Sequence, residues 1–504
     1  MENAEVVFIP GHGMGHLVPA VEMGKLLTSR AEWISVTFLI IGIPFETGVD
    51  SYTQSLSHGA PRLHFLSLPQ PPPQRRENAA ASSVSQDVNA LDHISAHKAA
   101  VRDVISDFYR SGRVIAGVVV DMFSTSMIDV ADEFGVPSYV FYTSGAGFLG
   151  LKFYAQTLKD EHGRDISEYR DSEAELSVPS FARPVPAKVL PTPMLDKYIV
   201  LMVQHCGRMM RRTKGILINT FLELEAHAIE SLSDGNFPPV YPVGPLINRR
   251  GSGGDDEEVN RWLDEQPPSS VVFLCFGSYG SFSADQVKEI AAALERGGWR
   301  FLWSLRRPKM KGEFGAPGDY SDPKEILPET FLECTEARGK VIGWAPQMMV
   351  LSHPSIGGFV SHCGWNSILE SVWCGVPVAT WPMYAEQQIN AFELVVELEI
   401  GVDIKMEYRS DTPMSPEKEE EDKNIQRPII VSADEIECGI RKLMADHGRI
   451  IKKKMKDMKE KSRLALLEGG SSYNFLGHFI NDLAHQAKYS RPRSSQQDSG
   501  KVKS

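Results

Sequence analysis

Short, almost wholly apolar segments alternate with longer amphipathic segments along most of this chain. Apolar runs occur at 6–9 (VVFI), 114–121 (VIAGVVVD) and 270–278 (SVVFLCFGS), and helical spacing follows at 17–29 and 284–298. A strand that is apolar on both faces has to be covered on both sides, and a helix between consecutive strands lets them run parallel. The pattern therefore predicts an α/β protein made of doubly wound parallel sheets.

The alternating pattern occurs twice, and a Gly-rich, charged segment with little to bury separates the two halves. We expect two domains that face each other across a cleft. The predicted organisation is an N-terminal domain at 1–247, a linker at 248–260, a C-terminal domain at 261–470, a helix at 471–488 that packs back on the N-terminal domain, and a disordered tail at 489–504. Segments 69–83 and 415–424 are interpreted as solvated surface insertions.

Charge and cysteine usage restrict the partners and the compartment. The formal net charge is −12 over 504 residues, whereas nucleic-acid binding needs dense Lys and Arg. The six cysteines show no paired spacing, which is typical of reduced thiols in a cytoplasmic protein. The N-terminus lacks a basic segment before its short apolar run, and no window approaches the roughly 20 apolar residues of a membrane helix. We expect a cytoplasmic monomer that binds no nucleic acid and does not insert into membranes.

The segment SHCGWNSILES, residues 361–371, carries several polar groups at the point where a predicted strand gives way to a predicted helix. In doubly wound sheets, ligands bind at this edge, and free N–H groups at a helix N-terminus favour an anion. His362, Asn366 and Ser367 add side-chain donors, which together suit a diphosphate. Glu370 lies one turn further on the same side. The alternative interpretation is a helix cap for Asn366 and Ser367 and a solvated surface position for Glu370.

Other predicted strand ends carry polar or aromatic groups at the same edge. Ser278 ends the run FGS, Trp344 and Gln347 lie in GWAPQ, and Glu386 and Gln387 lie in PMYAEQQ. An indole can stack on a base and an amide can read its edge, while a carboxylate beside an amide suits the vicinal hydroxyls of a sugar. Each of these signals is weak alone.

From Trp344 to Gln387 the chain closely resembles the signature box of plant secondary-metabolite glycosyltransferases, which are inverting family-1 UDP-sugar transferases. The resemblance extends through FIPGHGMGHLVPAVE near the N-terminus, through VDMFSTSMIDVADEFGVPSYVFYTSGAGFLG, and through GILINTFLELE and VYPVGPL. It therefore covers nearly the whole chain, and its last features are similar to the branch acting on flavonoids, lignans and triterpenes. The resemblance implies a GT-B fold, with two Rossmann-like domains and the nucleotide sugar held mainly by the second.

The resemblance also implies roles for individual residues around the donor. Trp344 would stack on uracil, Ala345 (through its backbone) and Gln347 would contact the uridine, and Glu370 would hold the ribose. The diphosphate would be held by His362, Asn366, Ser367 and Ser278. The sugar would be contacted by Trp365, Glu386 and Gln387. Many relatives have Asp at the position of Glu386, and the extra methylene leaves the sugar contacts there open.

The first half contributes a histidine and an aspartate to the opposite edge of the cleft. His16 opens a predicted helix after the first strand, and Asp121 ends a later strand. A carboxylate beside an imidazole fixes its tautomer and stabilises the imidazolium. By resemblance these residues are the catalytic base and its partner; without it, a helix-start histidine and a capping aspartate are the simpler interpretation. The third glycine of a dinucleotide loop would fall on His16, which argues against an oxidoreductase. His12 receives no role.

Donor and acceptor are expected from the same resemblance. Gln387 and Trp365 are similar to those of glucose users, so UDP-glucose is the expected donor, and Thr143 is expected to hold the sugar's terminal hydroxyl. A small, hydrophobic, hydroxylated acceptor would lie against an apolar lining. The candidate lining residues are Met14, Phe123, Phe148 and Tyr384.

The expected reaction is direct displacement by an acceptor hydroxyl, giving a β-glucoside. Neither a metal ion nor another cofactor is expected, since the sequence has no D-x-D motif at a strand end and no zinc-ligand spacing. The alternatives are a non-catalytic UDP-sugar-binding protein and the same chemistry with another UDP-sugar. Flavonoid, lignan and triterpene acceptors are not separated by the sequence.

Overall fold

A computed structural model of the chain describes residues 3–42, 48–57, 61–71, 86–197, 199–248, 257–309, 316–408, 429–445 and 448–489. Most of the linker prediction (249–256), most of the 69–83 segment, the whole 415–424 segment and the tail from 490 lie outside the described residues.

The first half contains a parallel sheet whose strand order reverses once. Its described strands are β1 (Ala4–Ile9), β2 (Ile34–Ile40), β3 (Leu63–Ser67), β4 (Val114–Asp121), β5 (Ser138–Tyr142), β6 (Glu175–Leu176), β7 (Val185–Pro186), β8 (Ile216–Ile218) and β9 (Val240–Pro242). The sheet has the order β3-β2-β1-β4-β5-β8-β9, and β6 and β7 form a separate antiparallel ribbon. The reversal falls between β1 and β4, which is where a Rossmann-like sheet opens its ligand crevice.

Helices cover both faces of this sheet. They are α1 (Met14–Arg30), α2 (Val49–Ser57), α3 (Gln86–Ala96), α4 (Lys98–Arg110), α5 (Ile128–Glu133), α6 (Ala146–His162), α7 (Thr192–Leu195), α8 (Ile199–Arg211) and α9 (Ala226–Ser231). Helix α6 is followed by Gly163, whose φ of 68° terminates the helix in the left-handed conformation that glycine adopts without strain.

The second half repeats the architecture with a shorter sheet. Its described strands are β10 (Val271–Cys275), β11 (Arg300–Ser304), β12 (Arg306–Arg307), β13 (Gly318–Asp319), β14 (Gly339–Ile342), β15 (Ile356–Ser361), β16 (Val378–Thr380) and β17 (Gly401–Asp403). The parallel sheet has the order β14-β11-β10-β15-β16-β17, with β12 and β13 forming an antiparallel pair beside it. Here the reversal falls between β10 and β15.

The helices of the second half are α10 (Glu257–Asp264), α11 (Ala284–Gly297), α12 (Phe331–Thr335), α13 (Gln347–Ser352), α14 (Trp365–Cys374), α15 (Gln387–Phe392), α16 (Ala433–Met444), α17 (Gly448–Leu466) and α18 (Ser471–Tyr489). A π-helical turn, Glu393–Glu397, continues α15. Among the described residues, no helix is both long enough and apolar enough to span a bilayer.

Strand β1 contributes side chains to two hydrophobic cores, one on each face of its sheet. In β1, Val7 and Ile9 pack into the core on one face, while Val6 and Phe8 pack into the core on the other. Side chains alternate along a strand, so both faces are apolar only if the whole run is apolar. The predicted doubly wound, two-sheet architecture is confirmed on this point.

The C-terminal helix α18 lies across the first sheet. Leu476, Phe479 and Leu483 are buried in one of that sheet's cores, and the Phe479 ring meets Tyr139 of β5 edge-on at 5.0 Å. Full burial of a large apolar side chain stabilises a fold by about 1.5–3 kcal/mol. Helix α18, which follows the second domain in the sequence, therefore packs against the first domain.

Candidate active site

Residues from the carboxyl ends of both sheets meet in the groove between the two domains. His16 follows β1, Asp121 ends β4 and Thr143 follows β5, all beside the strand-order reversal of the first sheet. In the second domain, Ser278 follows β10 and His362 follows β15, beside the corresponding reversal. Both crevices of the type expected to bind ligands therefore open into one groove.

His16 and Asp121 form a directly hydrogen-bonded pair. The imidazole Nδ1 lies 2.9 Å from Asp121 Oδ2, and the aspartate side chain is only 2% exposed. The other oxygen, Oδ1, accepts the backbone N–H of Phe123 at 2.9 Å. A carboxylate only accepts hydrogen bonds, so Nδ1 carries the proton and the lone pair falls on Nε2. That tautomer is the one a general base needs.

Two more residues shape this pair. The Thr143 hydroxyl lies 2.8 Å from His16 Nδ1, and its contact with the sugar's terminal hydroxyl stays a prediction. Gly11 lies so close that an added Cβ would come within 2.4 Å of Asp121 Oδ1. Any other residue at position 11 would displace the carboxylate from the imidazole.

His12, which received no role from the sequence, lies next to the pair. Its ring is stacked with that of His16 at 6.3 Å and lies 5.4 Å from Phe123. Burial, followed by the neighbouring His16, lowers the pKa of His12 to about 4. His12 is therefore a neutral imidazole at physiological pH and adds no positive charge beside His16.

Helix α14 begins without a capping side chain. Its N-cap is Gly364, which offers no side-chain acceptor, and the preceding residue, Cys363, has a φ of 65°. The first N–H groups of a helix have no intrahelical partner and, with the helix dipole, they attract an anion. The helix-cap alternative for Asn366 and Ser367 is therefore wrong, because they lie inside the helix and do not cap it.

His362 faces this helix end from the strand side. It is 6% exposed, and its Nδ1 is buried without a hydrogen-bond partner among the described residues. A Cβ added at Gly277 or at Gly364 would lie 2.4 or 2.6 Å from His362 Nε2. Burial lowers the pKa of His362 to about 4, so it is a neutral donor at physiological pH. Ser278, which follows Gly277, is exposed at the same turn.

Side chains of α14 also hold the two domains together. The Asn366 amide donates to the carbonyl of Gly15 at 2.8 Å, and the Trp365 indole N–H donates to the carbonyl of Asn219 at 2.8 Å. The Trp365 ring is 3% exposed and lies against Gly145, where an added Cβ would come within 2.9 Å. The Trp365 indole is therefore engaged with the first domain, whereas the Asn366 amide keeps a second N–H, and its oxygen has no partner among the described residues. The predicted ligand contacts of both residues stay predictions.

The residues predicted to contact the nucleoside form one cluster. Gln347 donates to Ser367 Oγ at 2.9 Å and to Glu370 Oε2 at 2.7 Å. Burial raises the pKa of Glu370 to about 7, against the lowering effect of Gln347. Ala345 is buried beside them, while Trp344 is 46% exposed, with the guanidinium of Arg306 5.1 Å from its ring centroid. An exposed indole next to an acceptor carboxylate suits a flat base carried on a ribose.

The residues predicted for the sugar lie at the start of α15. Gln387 is 3% exposed and its side-chain oxygen accepts the N–H groups of Met383 and Tyr384 at 2.9 and 3.0 Å, which fixes the preceding turn. Glu386 is half-buried at the N-cap of the same helix. The Gln387 side chain therefore stabilises the turn before α15, and the sugar contacts of Glu386 and Gln387 stay predictions.

The predicted acceptor lining divides into two groups. The ring of Phe123 lies 5.0 Å from the ring of His16, and Met14 is the first residue of helix α1, two residues before His16. Phe148 is 6% exposed on α6. Tyr384 is 39% exposed and lies 6.4 Å from the ring of His362, on the side of helix α14. The structure thus groups Phe123 and Met14 with the base and separates Tyr384 from them.

Sequence reasoning missed a pair of buried carboxyl groups where the domains meet. Glu225 and Glu393 are 3% and 5% exposed and lie beside Gly147, whose N–H donates to Glu225 at 2.8 Å. Burial, then the charge of Glu225, raises the pKa of Glu393 well above its usual range. The sequence analysis also overlooked Arg306, which the pair of arginines just after β11 could have indicated. Within the described residues, no group of three or more His, Cys, Asp or Glu side chains could hold a metal ion.

Comparisons with known proteins identify related chains. The family profile described as "UDP-glucoronosyl and UDP-glucosyl transferase" matches residues 254–411. The chain is 49% identical to a UDP-glucose flavonoid 3-O-glucosyltransferase 6 of Fragaria ananassa, over 95% of this chain and 98% of that one. It is 50% identical to a UDP-glycosyltransferase 1 of Panax ginseng, over 95% and 100% of the two chains.

Solved structures give the same result. A UGT transferase from Siraitia grosvenorii in complex with UDP superposes with a TM-score of 0.82 at 43% identity, covering 96% of this chain and 100% of that one. Medicago truncatula UGT71G1 complexed with UDP-glucose superposes with a TM-score of 0.81 at 39% identity, covering 95% and 98%.

Proposed function

The chain belongs to the UDP-glucoronosyl and UDP-glucosyl transferase family, and from that premise we propose that it transfers glucose from UDP-glucose to a hydroxyl group of a small phenolic or terpenoid plant metabolite, giving a β-glucoside. The protein is a plant UDP-glycosyltransferase with the GT-B fold.

The observation that carries the proposed mechanism is the pair formed by His16 and Asp121. Asp121 holds the imidazole in the tautomer whose Nε2 accepts a proton, and it stabilises the imidazolium that results. In the proposed step, Nε2 takes the proton of the acceptor hydroxyl as its oxygen bonds to the anomeric carbon. The bond from that carbon to the diphosphate oxygen breaks on the opposite face, UDP leaves, and the configuration inverts from α to β.

The developing charge on the leaving UDP would be met by the N-terminus of α14. The uncapped N–H groups there and the neutral donor His362 lie at the point where the second crevice opens. Fixed donors aimed at developing charge need no reorganisation during the reaction, which makes such arrangements catalytic. We therefore propose that neither a metal ion nor a further cofactor takes part.

The uridine would lie over Trp344, with its ribose on Glu370. An exposed indole and a half-buried carboxylate beside Gln347 support this orientation. Glucose as the donor sugar is supported by the Fragaria relative, which is named for UDP-glucose, and by the Medicago structure solved with UDP-glucose. The flavonoid in the name of the Fragaria protein supports a flat phenolic acceptor beside Phe123.

The test is product formation from matched donor and acceptor panels. Purified protein is incubated with UDP-glucose, UDP-galactose or UDP-xylose and with neutral phenolic or terpenoid alcohols, and products are identified by mass and by the anomeric proton coupling. We expect β-glucosides with UDP-glucose, and loss of product with His16→Ala. The control is His162→Ala, which changes an exposed histidine at the end of α6. Retained turnover in His16→Ala, or retention of the α configuration, contradicts the mechanism.

A further inference from the structure

A lysine on α6 is almost completely buried near the groove. Lys152 is 5% exposed, and its ammonium lies 5.2 Å from the ring centroid of Tyr142 and 4.9 Å from that of Phe148. These two rings supply cation–π contacts, which are the weaker kind of stabilisation for a buried cation. Lysine is seldom fully buried unless it is paired with an anion.

No carboxylate of the described residues forms a salt bridge with Lys152. Burial lowers its pKa, while the more distant Cys206, Glu386 and Asp121 partly oppose that effect. Asp121 is already paired with His16 at 2.9 Å. A buried charge without a direct counter-ion is unfavourable, so the position is explained if a ligand supplies the missing anion.

The neighbours of Lys152 indicate which of the two substrates would supply this anion. Helix α6 begins three residues after Thr143, whose hydroxyl contacts the proposed base. Lys152 lies one turn beyond Phe148, a predicted acceptor-lining residue, and it is influenced from the first domain by Asp121 and from the second by Glu386. Because the ammonium lies 4.9 Å from the ring of Phe148, an acceptor that packs on Phe148 comes within reach of it.

We propose that Lys152 determines acceptor specificity, by binding a carboxylate on acceptors that also carry the reacting hydroxyl. This rests on the proposed glucosyl transfer and refines it: the favoured acceptors are hydroxylated aromatic or terpenoid carboxylic acids. The ring of such an acceptor packs on Phe148, and the carboxylate accepts a charge-assisted hydrogen bond from the ammonium. The hydroxyl, at the other end of the acceptor, faces His16.

The experiment compares a hydroxylated aromatic acid with its methyl ester, at equal UDP-glucose, by the rate of UDP release. The wild-type enzyme is expected to prefer the acid in kcat/KM. In Lys152→Met the ratio of acid to ester is expected to fall about 10- to 100-fold, the range for one charge-assisted hydrogen bond, mainly through KM for the acid. Lys152→Gln tests the same loss with a polar side chain. Lys159→Met, which changes a partly exposed lysine on the same helix, is the control that leaves the ratio unchanged.

A pH series separates binding of the carboxylate from a merely structural role. The preference for the acid should fade as the pH rises through the pKa of Lys152, which burial places below the usual 10.5. An unchanged ratio in Lys152→Met, or an equal loss for acid and ester in both variants, overturns the inference. If the wild-type enzyme glucosylates the ester as well as the acid, the inference fails and the proposed function stands. If it glucosylates no acceptor of either panel, the proposed function itself fails.

Discussion

Replacing Asp121 with asparagine changes one oxygen into an NH2 group without changing the size of the side chain. In the native protein Oδ1 accepts the N–H of Phe123 and Oδ2 accepts Nδ1–H of His16. An amide has one acceptor atom and one donor group. If its oxygen takes the N–H of Phe123, the NH2 group points at His16 Nδ1. The imidazole must then accept at Nδ1 and carry its proton on Nε2, the atom that should act as the base.

The opposite orientation of the amide is also unfavourable. It would set the NH2 group against the backbone N–H of Phe123, two donors face to face, at a site that is 2% exposed. The Thr143 hydroxyl, 2.8 Å from Nδ1, can donate to that nitrogen and so further stabilises the unproductive tautomer, which has its proton on Nε2. General base catalysis is worth about 10²–10⁴-fold, so kcat of Asp121→Asn should fall by about that factor.

Asp121→Ala is the matched comparison. Without any side chain at that position, Thr143 can accept Nδ1–H and the productive tautomer survives in part of the molecules. We therefore expect the alanine variant to be slower than the wild type but faster than the asparagine variant. The assay is the initial rate of UDP release at saturating UDP-glucose and phenolic acceptor, with donor affinity measured by calorimetry to show that it is unchanged. An asparagine variant as active as the alanine variant refutes the tautomer argument.

Four further outcomes are expected. Trp344→Ala should raise the KM for UDP-glucose about 5- to 150-fold, from the roughly 1–3 kcal/mol of one base–aromatic stack, whereas Trp344→Phe should keep most of the affinity. Because the pKa of Glu370 is about 7, its carboxylate is lost as the pH falls, so donor affinity measured by calorimetry should drop from about pH 8 to about pH 6, and Glu370→Gln should abolish that dependence. Burial raises the pKa of Glu393, so the folded state binds more protons than the unfolded state, and stability declines as pH rises between the two pKa values; Glu393→Gln should flatten this decline in thermal melts, and an equally steep decline would count against it. Chelation of divalent metals with EDTA should leave the rate of glucosyl transfer unchanged, because the N-terminus of α14 supplies the donors for the diphosphate, and a rate restored only by added metal would contradict this.

The fold could be predicted from the sequence because a strand that is buried on both faces consists almost wholly of apolar residues. A strand such as β4, VIAGVVVD, is apolar up to its last residue, since one set of alternate residues faces each core. The position of Asp121 follows from the same logic, because it is the first charged residue after that run and therefore stands at the carboxyl end of the strand. His16 and the 362–367 turn could be placed at the groove by the same argument.

Contacts between side chains far apart in the sequence could not be predicted in this way. The Thr143 hydroxyl meets His16, and the Asn366 amide meets Gly15, only because separate strands and domains are packed together. No periodicity encodes such pairs. The burial of Lys152 was hidden for a different reason: a lysine within an amphipathic helix has the same pattern as a solvated surface position, and only tertiary packing distinguishes the two.

The unusual opening of α14 follows from how its side chains are used. Trp365 and Asn366 bind carbonyl groups of the first domain, and Ser367 accepts a hydrogen bond from Gln347. None of them caps the helix, although an N-cap side chain stabilises a helix by about 1 kcal/mol. Cys363 also adopts a left-handed conformation, with a φ of 65°, which costs a non-glycine residue about 1–2 kcal/mol. The turn forgoes stability on both counts and keeps its N–H groups open, and an anion bound there restores the missing interactions. A segment selected only for folding would have placed an acceptor side chain at Gly364.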